Sequence, residues 1–203
     1  PNPHLFVQPD IEREDPVNLR IPDIDMERCT TCGRCAEICE FNALAVMGSS
    51  VLVFKELCHA CGGCTLVCPE NAITEVPHRT GTVMRGKAGS ILYAQGILDI
   101  GEAKAPPVID QLKTTAPQAD VTIIDAPPGT SCPMVEAVRG TDLVVLVTEP
   151  TPFGLNDLQL AVDVVKTLSI PHAVVINRSD IGDDRVERYC REENLDVVLR
   201  IPN

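Results

Sequence analysis

The sequence predicts an α/β fold, a doubly wound and mostly parallel sheet into which a small, cysteine-rich α+β unit is inserted. Its 203 residues allow one or two domains. From Gly81 onward, apolar runs alternate with amphipathic stretches, as strands and helices do in such a sheet. Upstream, eight of the ten cysteines fall in two copies of one spacing. We therefore divide the chain into an N-terminal arm (1–20), an inserted unit (21–80) and the remainder of the α/β domain (81–203).

The N-terminal arm is expected to lead into another segment without forming a long element of its own. Pro1, Pro3, Pro9 and Pro16 are spread along it, and prolines interrupt helices and strands.

The inserted unit carries a metal-ligand pattern. Its runs are Cys29-x2-Cys32-x2-Cys35-x3-Cys39 and Cys58-x2-Cys61-x2-Cys64-x3-Cys68, the second followed by Pro69. This is the spacing of bacterial ferredoxins with two [4Fe–4S] clusters, in which each loop supplies three thiolates and the fourth cysteine reaches the other cluster. We therefore assign one cluster to Cys29, Cys32, Cys35 and Cys68, and the other to Cys58, Cys61, Cys64 and Cys39.

Disulfides and structural zinc explain this pattern less well. Regular loops with three cysteines are poor disulfide geometry, and eight thiolates intended for iron suit a reducing interior. Structural zinc usually takes pairs of cysteines, not two runs of four.

An internal repeat supports the assignment. A shift of 29 residues maps the four cysteines of the first run onto the second, and maps Asn42-Ala43-Leu44 onto Asn71-Ala72-Ile73. Gly33 and Gly62-Gly63 are expected to keep the backbone small around the clusters, with N–H groups free to bond sulfur. The repeat is broken where Glu40 stands in place of the proline found as Pro69, a difference that can alter the cluster bound by Cys39.

The α/β part is predicted element by element from its apolar pattern. Buried strands are expected at 121–124, 143–147, 173–176 and 197–199, because these runs are rich in β-branched residues. One or two short strands are expected between Ser90 and Ile100. Helices are expected at about 107–115, 133–139, 154–168 and 184–193, where apolar residues recur at helical spacing.

A second chemical site is predicted after the strand at 121–124. Asp125 follows that strand, and ligands of open α/β sheets bind at the carboxyl ends of strands. In nucleoside triphosphatases such an aspartate holds Mg²⁺, and Gly129 could offer a backbone N–H to the terminal phosphate. The alternative is an ordinary turn with Asp125 as a cap.

These motifs together resemble the MinD/ParA branch of deviant P-loop ATPases. The segments that carry the resemblance are Asp125–Gly129, Thr148–Thr151 and Val175–Arg178. The cysteine runs interrupt the ATPase ahead of Asp125, so the chain more narrowly resembles MinD-superfamily ATPases with an inserted ferredoxin domain. The resemblance implies a fold related to the nitrogenase iron protein, a nucleotide-driven homodimer, and Mg-ATP as cofactor. It also implies that Asn177 reads the adenine edge, although a strand-capping asparagine remains the alternative.

The glycine-rich phosphate loop of this family does not occur in the sequence. Pro1–His4 resemble the segment after the family's second strand, and Arg200–Asn203 resemble the strand before its last helices. We therefore interpret the chain as part of a longer protein. The stretch Gly81–Ala88 fits the phosphate-loop pattern, but it ends in alanine where a hydroxyl should bind Mg²⁺ and no helix is expected after it.

Two cysteines lie outside the runs. Cys190 is interpreted as incidental on a polar helix. Cys132 stands seven residues after Asp125, the offset of a cluster-ligating cysteine in the nitrogenase iron protein. Either it is a small residue packed beside Pro133, or two Cys132 thiols face each other at an ATP-dependent interface.

Composition narrows the partners. The net charge of −12 disfavours a nucleic-acid surface and suits docking on a basic redox partner. No apolar run approaches the ~20 residues needed to span a membrane, and a cytoplasmic location is expected. The resulting hypotheses are an ATP-gated electron-transfer protein with an unknown partner, a cluster assembly or carrier ATPase of Mrp type, and a ferredoxin module on an inert remnant.

Overall fold

The computed structural model describes residues 3–203, so Pro1 and Asn2 of the predicted family segment lie outside it. The chain forms two compact units, His4–Ala119 and Asp120–Asn203. The unit boundary lies well beyond residue 81, where the sequence predicts the insert to end, because strands on both sides of residue 81 belong to one sheet. The insertion of one domain into another stays a prediction.

In chain order the elements of the first unit are α1 (His4–Val7), β1 (Asp10–Ile24), α2 (Arg34–Glu37), β2 (Leu44–Met47), β3 (Ser50–Val53), α3 (Gly63–Leu66), β4 (Ile73–Ala88), β5 (Ile91–Leu98) and α4 (Pro106–Thr115). Those of the second unit are α5 (Cys132–Val138), β6 (Val144–Thr148), α6 (Pro152–Thr167), β7 (His172–Asn177), α7 (Arg185–Glu192) and β8 (Val197–Ile201).

The first unit is built on a long antiparallel ribbon. Strands pair in the order β1-β4-β5, and β1 runs beside β4 from the pair Asp10↔Lys87 to the pair Ile24↔Ile73. Val17 and Val83 on this ribbon are almost fully buried against Val108 of α4. The cysteine-rich segment lies between β1 and β4 in the chain and is thus joined to this ribbon at both of its ends.

The expectation that prolines keep the N-terminal arm free of long elements is wrong, since β1 begins at Asp10 and contains Pro16 and Pro22. Both lie in an edge strand, where a missing N–H need not interrupt the ladder. Pro77 of β4 is tolerated similarly, because β5 pairs with β4 only from Gly81 onward.

The segment between β1 and β4 repeats itself in three dimensions. Each cysteine run leads into a one-turn helix, α2 or α3, and the hairpin β2-β3 lies between the two halves. The backbone takes positive φ at matched positions of the two halves, which are Thr31 and Ala60, Gly33 and Gly62, and Asn42 and Asn71. The 29-residue repeat is therefore structural as well as sequential.

The second unit contains a parallel sheet of order β6-β7-β8. Leu146, Val174 and Ile176 on one face form a core with Val162 of α6 and Val186 of α7. This α/β arrangement agrees with the sequence prediction. The four predicted helices are found as α4, α5, α6 and α7, with bounds within a few residues of those expected. The strands expected at 143–147, 173–176 and 197–199 and the single strand within 90–100 are confirmed as well.

The opposite face of this sheet is exposed on its outer strands β6 and β8, while Ala173 and Val175 of the central strand β7 are buried there. Val145 and Val147 of β6 are 48% and 66% exposed, and Leu199 of β8 is 52% exposed. Helices covering both faces, as a doubly wound sheet requires, are therefore not found in the described residues, and that arrangement remains a prediction.

The strand expected at 121–124 is not formed. Val121 and Ile123 are 77% and 90% exposed, and residues 122–127 have no regular structure. A strand requires a neighbour to accept its hydrogen bonds, and no strand of residues 3–203 lies beside this segment. Apolar, β-branched composition alone is not sufficient.

Candidate metal centres

The first cavity of the cysteine-rich segment, site A, is lined by four cysteines from both runs, namely Cys29, Cys32, Cys35 and Cys68. Cys29 and Cys32 lie in the loop before α2, Cys35 lies within α2, and Cys68 follows α3 and its C-cap. About 350 Å³ of space lies between them, including the part open to solvent. These are the four cysteines that the spacing assigns to one cluster.

Site B is the equivalent cavity at the second cysteine run. Cys58, Cys61 and Cys64 line it together with Cys39 from the first run. It encloses about 390 Å³ on the same measure. Each run therefore contributes three cysteines to its own cavity and one to the other.

Backbone N–H groups hold the ligand sulfurs in matched pairs. Thr31 N donates to Cys29 Sγ and Ala60 N to Cys58 Sγ, each at 3.4 Å. Ala43 N donates to Cys39 Sγ and Ala72 N to Cys68 Sγ, each at 3.3 Å. Such bonds fix the orientation of the sulfurs and are the kind of contact that surrounds cluster ligands. N–H groups thus bond the sulfurs, but the four donors are Thr31, Ala43, Ala60 and Ala72 and not the expected glycines.

The third cysteine of each run is in an apolar setting. Cys35 and Cys64 belong to one hydrophobic cluster with Leu44 and Ile73. Burial raises the pKa of both thiols, and neighbouring N–H groups oppose that effect. A buried thiolate needs a compensating positive charge, so this setting suits sulfur bound to iron.

The donor set and one unpaired hydroxyl fit a [4Fe–4S] cluster. Four thiolates surround each cavity, whereas no three His, Cys, Asp or Glu side chains of residues 3–203 converge on the position of a single metal ion. The Thr65 hydroxyl is buried without a hydrogen-bond partner among the described residues. Thr65 directly follows Cys64, and its hydroxyl is close enough to that sulfur to lower the pKa of the thiol as a weak donor, against the larger effect of burial, although the contact is not a well-aligned hydrogen bond.

Two features near site B were missed in the sequence. The rings of Phe41 and His59 stack with centroids 3.7 Å apart and planes 12° apart, and both residues line site B. The Lys104 ammonium donates to the carbonyls of Lys55 and Glu56, at 3.0 and 3.2 Å, in the loop that leads to Cys58. Only the stack had a signal in the sequence. The 29-residue shift relates Phe41 and His59 to residues that are not aromatic, so the two rings break the repeat.

The predicted nucleotide residues lie in two segments of the second unit, the end of β7 and the irregular stretch before α5. Asn177 ends β7, and Arg178 beside it pairs with Glu149 at 3.6 Å between Nη1 and Oε1. Asp125 is exposed in the irregular segment before α5, and Gly129 takes a φ of 87°. Their roles towards Mg-ATP remain predictions.

The stretch Gly81–Ala88 lies in β4 and is followed by β5, as expected for a false match to a phosphate loop. Its glycines serve strand packing. A Cβ on Gly86 would collide with the carbonyl oxygen of Asp10 on β1, and one on Gly81 would collide with that of Ile97 on β5.

The two remaining cysteines differ in setting. Cys190 is 1% exposed within the core under β7, and burial raises its pKa. It is a core residue, and its helix is polar only on the outer face. Cys132 is exposed at the first residue of α5. No helix of residues 3–203 is long and apolar enough to cross a membrane.

Comparison with known protein families identifies the cysteine-rich segment. Residues 22–45 and 51–74 each match the 4Fe-4S binding domain. Each match contains one complete cysteine run, so iron–sulfur binding of the [4Fe–4S] type is supported for both halves of the repeat.

Relatives of the chain were found among archaeal proteins. It is 28% identical over 208 residues to an uncharacterized protein of Methanocaldococcus jannaschii, covering 95% of this chain and 75% of that protein. A second uncharacterized protein of that organism is 32% identical over 157 residues, which are 76% of this chain and 55% of that protein. An iron–sulfur cluster carrier protein of Pyrococcus horikoshii is 30% identical over 98 residues, which are 41% of this chain and 33% of that protein.

The chain thus spans three quarters of the first relative, about half of the second and a third of the carrier protein. It carries a 4Fe-4S binding domain and is distantly homologous to iron–sulfur cluster carrier proteins.

Proposed function

We propose that the protein transfers electrons through two [4Fe–4S] clusters, one in site A and one in site B. The observation that carries this proposal is the exchange of fourth ligands, since Cys68 lines site A and Cys39 lines site B. When bound, each cluster would accept and release one electron at a time. The chain's own part is to hold the sulfurs, donate N–H groups to them and exclude water.

Three of the eight ligands are buried, and their burial favours permanent clusters over transferable ones, while Cys32 and Cys61 are exposed. Cys35, Cys58 and Cys64 are each 9% exposed or less and belong to hydrophobic clusters of the fold. Removing metal from such sites would leave holes in the core and buried unpaired thiols. A carrier that delivers its clusters would gain from exposed, labile ligands instead.

The second candidate is a cluster assembly or carrier ATPase of Mrp type. The Pyrococcus relatives, which are iron–sulfur cluster carrier proteins, support it, at about 30% identity over some two fifths of this chain. The same iron–sulfur chemistry would then serve delivery of clusters to an acceptor protein.

One experiment separates the two candidates. The 203-residue chain is purified anaerobically, its iron and sulfide are counted, and it is reduced and reoxidised by titration with EPR detection. Electron transfer predicts about eight irons and eight sulfides per chain, reversible one-electron signals, and no loss of iron to an added apo-ferredoxin. Rapid transfer of iron and sulfide to that acceptor would favour the carrier, and far fewer than eight irons would overturn both two-cluster proposals.

The proposal extends to a nucleotide in the second unit. A MinD-like ATPase domain would bind Mg-ATP with Asp125, Gly129 and Asn177, close as a homodimer, and regulate delivery of electrons to a partner protein in the cytoplasm. Support comes from the family resemblance and from Asn177 at the carboxyl end of a parallel strand. We expect the 203-residue chain to hydrolyse ATP at background rate, because its sequence has no phosphate-loop lysine. Phosphate release well above background would contradict this expectation.

A further inference from the structure

The repeat offers a position-by-position comparison of the two sites. A shift of 29 residues relates Phe41 to Glu70 and His59 to Thr30. Phe41 and His59 carry aromatic rings, whereas Glu70 and Thr30 do not, and the two residues of each pair lie at different sites. Thus Phe41 and His59 line site B, whereas Thr30 and Glu70 line site A.

The aromatic pair joins the two ligand segments of site B. Phe41 stands two residues after Cys39, and His59 directly follows Cys58, so the stacked rings connect the first run to the second. Phe41 is 40% exposed and His59 is exposed, so the stacked rings form part of the wall of site B at the protein surface. Cys58 is only 7% exposed, while its counterpart Cys29 is half-buried.

Charges at the two rims are similar. Site A is lined by Arg34 and Glu70, and site B by Arg20 and Glu75. Each rim therefore has one guanidinium and one carboxylate. The stacked rings are the larger difference between the two openings.

We propose that the Phe41–His59 stack is a solvent cover that makes the cluster of site B inequivalent to that of site A, with a lower midpoint potential than an open site B would have. This inference rests on the proposed binding of two clusters. Four thiolates and a 2+ core carry a net charge of −2, and one added electron makes it −3. Water stabilises the more negative state more strongly, so the rings that exclude water oppose reduction.

The test uses the full 203-residue chain with its clusters, purified anaerobically, and titrates wild type, Phe41→Ala and His59→Ala with EPR detection. Both variants are expected to shift one midpoint to more positive potential, leave the other unchanged, and speed the loss of half of the iron to a chelator several-fold. Cys61→Ser and Cys32→Ser are matched exposed ligands that assign each midpoint to its site.

Two controls keep the test specific. Thr30→Ala changes the position equivalent to His59 at site A and should shift neither midpoint. Phe41→Tyr retains a stacked ring and should restore both the wild-type potential and the rate of iron loss. If Phe41→Ala retains too little iron for titration, His59→Ala alone tests the proposal, because the His59 ring is exposed and not part of the core.

The outcomes distinguish this inference from the proposed function. Unchanged midpoints in ring variants that retain both clusters would overturn the solvent cover and leave electron transfer standing. Wild-type protein without two clusters would overturn the proposed function itself.

Discussion

Thr65 and Ala36 occupy equivalent positions of the repeat, each directly after the third cysteine of its run. The buried Thr65 hydroxyl makes no well-aligned hydrogen bond among residues 3–203, but it is close enough to the Cys64 sulfur to lower the pKa of that thiol. A ligand sulfur with the negative charge of a cluster-bound thiolate would accept a hydrogen bond from this hydroxyl. At single-residue scale, this hydroxyl is a second difference between sites A and B.

We predict that Thr65→Val lowers the midpoint potential of the site B cluster and leaves site A unchanged. A hydrogen bond to a ligand sulfur stabilises the reduced, more negative state and so raises the potential. If that bond contributes about 1 kcal/mol, its loss amounts to about 40 mV for a one-electron couple. The measurement is an EPR-monitored redox titration of the anaerobic protein.

The reciprocal substitution Ala36→Thr is the matched control, because it places a hydroxyl at the same position of site A. It should raise the other midpoint. Equal potentials in wild type and Thr65→Val would show that the hydroxyl does not bond to sulfur. The expected sign is opposite to that for removal of the Phe41 ring, so the two effects on site B can be told apart.

At the scale of elements, the β1–β4 ribbon depends on close backbone approach. Gly86 faces the carbonyl of Asp10, and the Cα of Ile11 would lie 2.9 Å from any Cβ at this position. A register shift between Ile11 and Arg13 in β1 lies at the same place. The ribbon therefore has little room for a side chain at Gly86.

We predict that Gly86→Val destabilises the first unit by about 1–3 kcal/mol, the usual range for overpacking. Denaturant unfolding of the anaerobic protein, followed by circular dichroism, measures the loss. Gly48→Asn is the control, since a Cβ at Gly48 meets nothing within 4 Å and asparagine tolerates positive φ. A Gly86→Val protein as stable as wild type would mean that the two strands do not approach so closely.

The elements also show which features sequence could predict. The helices and the strands β6, β7 and β8 have local periodicity, and the grouping of cysteines that lines sites A and B follows from fixed spacing. The pairing of β1 with β4 joins residues more than 60 positions apart, such as Val17 and Gly81, and proline content pointed the other way. Residues 121–124 have the composition of a strand but no neighbouring strand. The Phe41–His59 contact could not be predicted because it depends on how the fold brings the end of the first cysteine run beside the start of the second.

At the scale of the whole molecule, the two units have cores of different kinds. Predicted iron ligands are part of the first unit's core, because Cys35 and Cys64 pack with Leu44 and Ile73, and Cys58 packs with Ile21 and Ala43. The second unit's core is formed by aliphatic side chains of β6, β7, α6 and α7, with Cys190 as its cysteine. Loss of iron should therefore act on one unit and spare the other.

We predict that removal of iron by oxidation and chelation opens the first unit locally. The Ala43 and Ala72 amides, which donate to Cys39 and Cys68, should lose hydrogen-exchange protection by roughly tenfold or more, or about 1.4 kcal/mol of opening free energy. The Val174 amide, which donates to the carbonyl of Asp196 inside the parallel sheet, should remain protected. Exchange measured by mass spectrometry on the same sample before and after chelation compares all three amides. Equal loss of protection in both units would show that the second unit depends on the metal, and retained protection at Ala43 and Ala72 would show that the sulfurs are held without it.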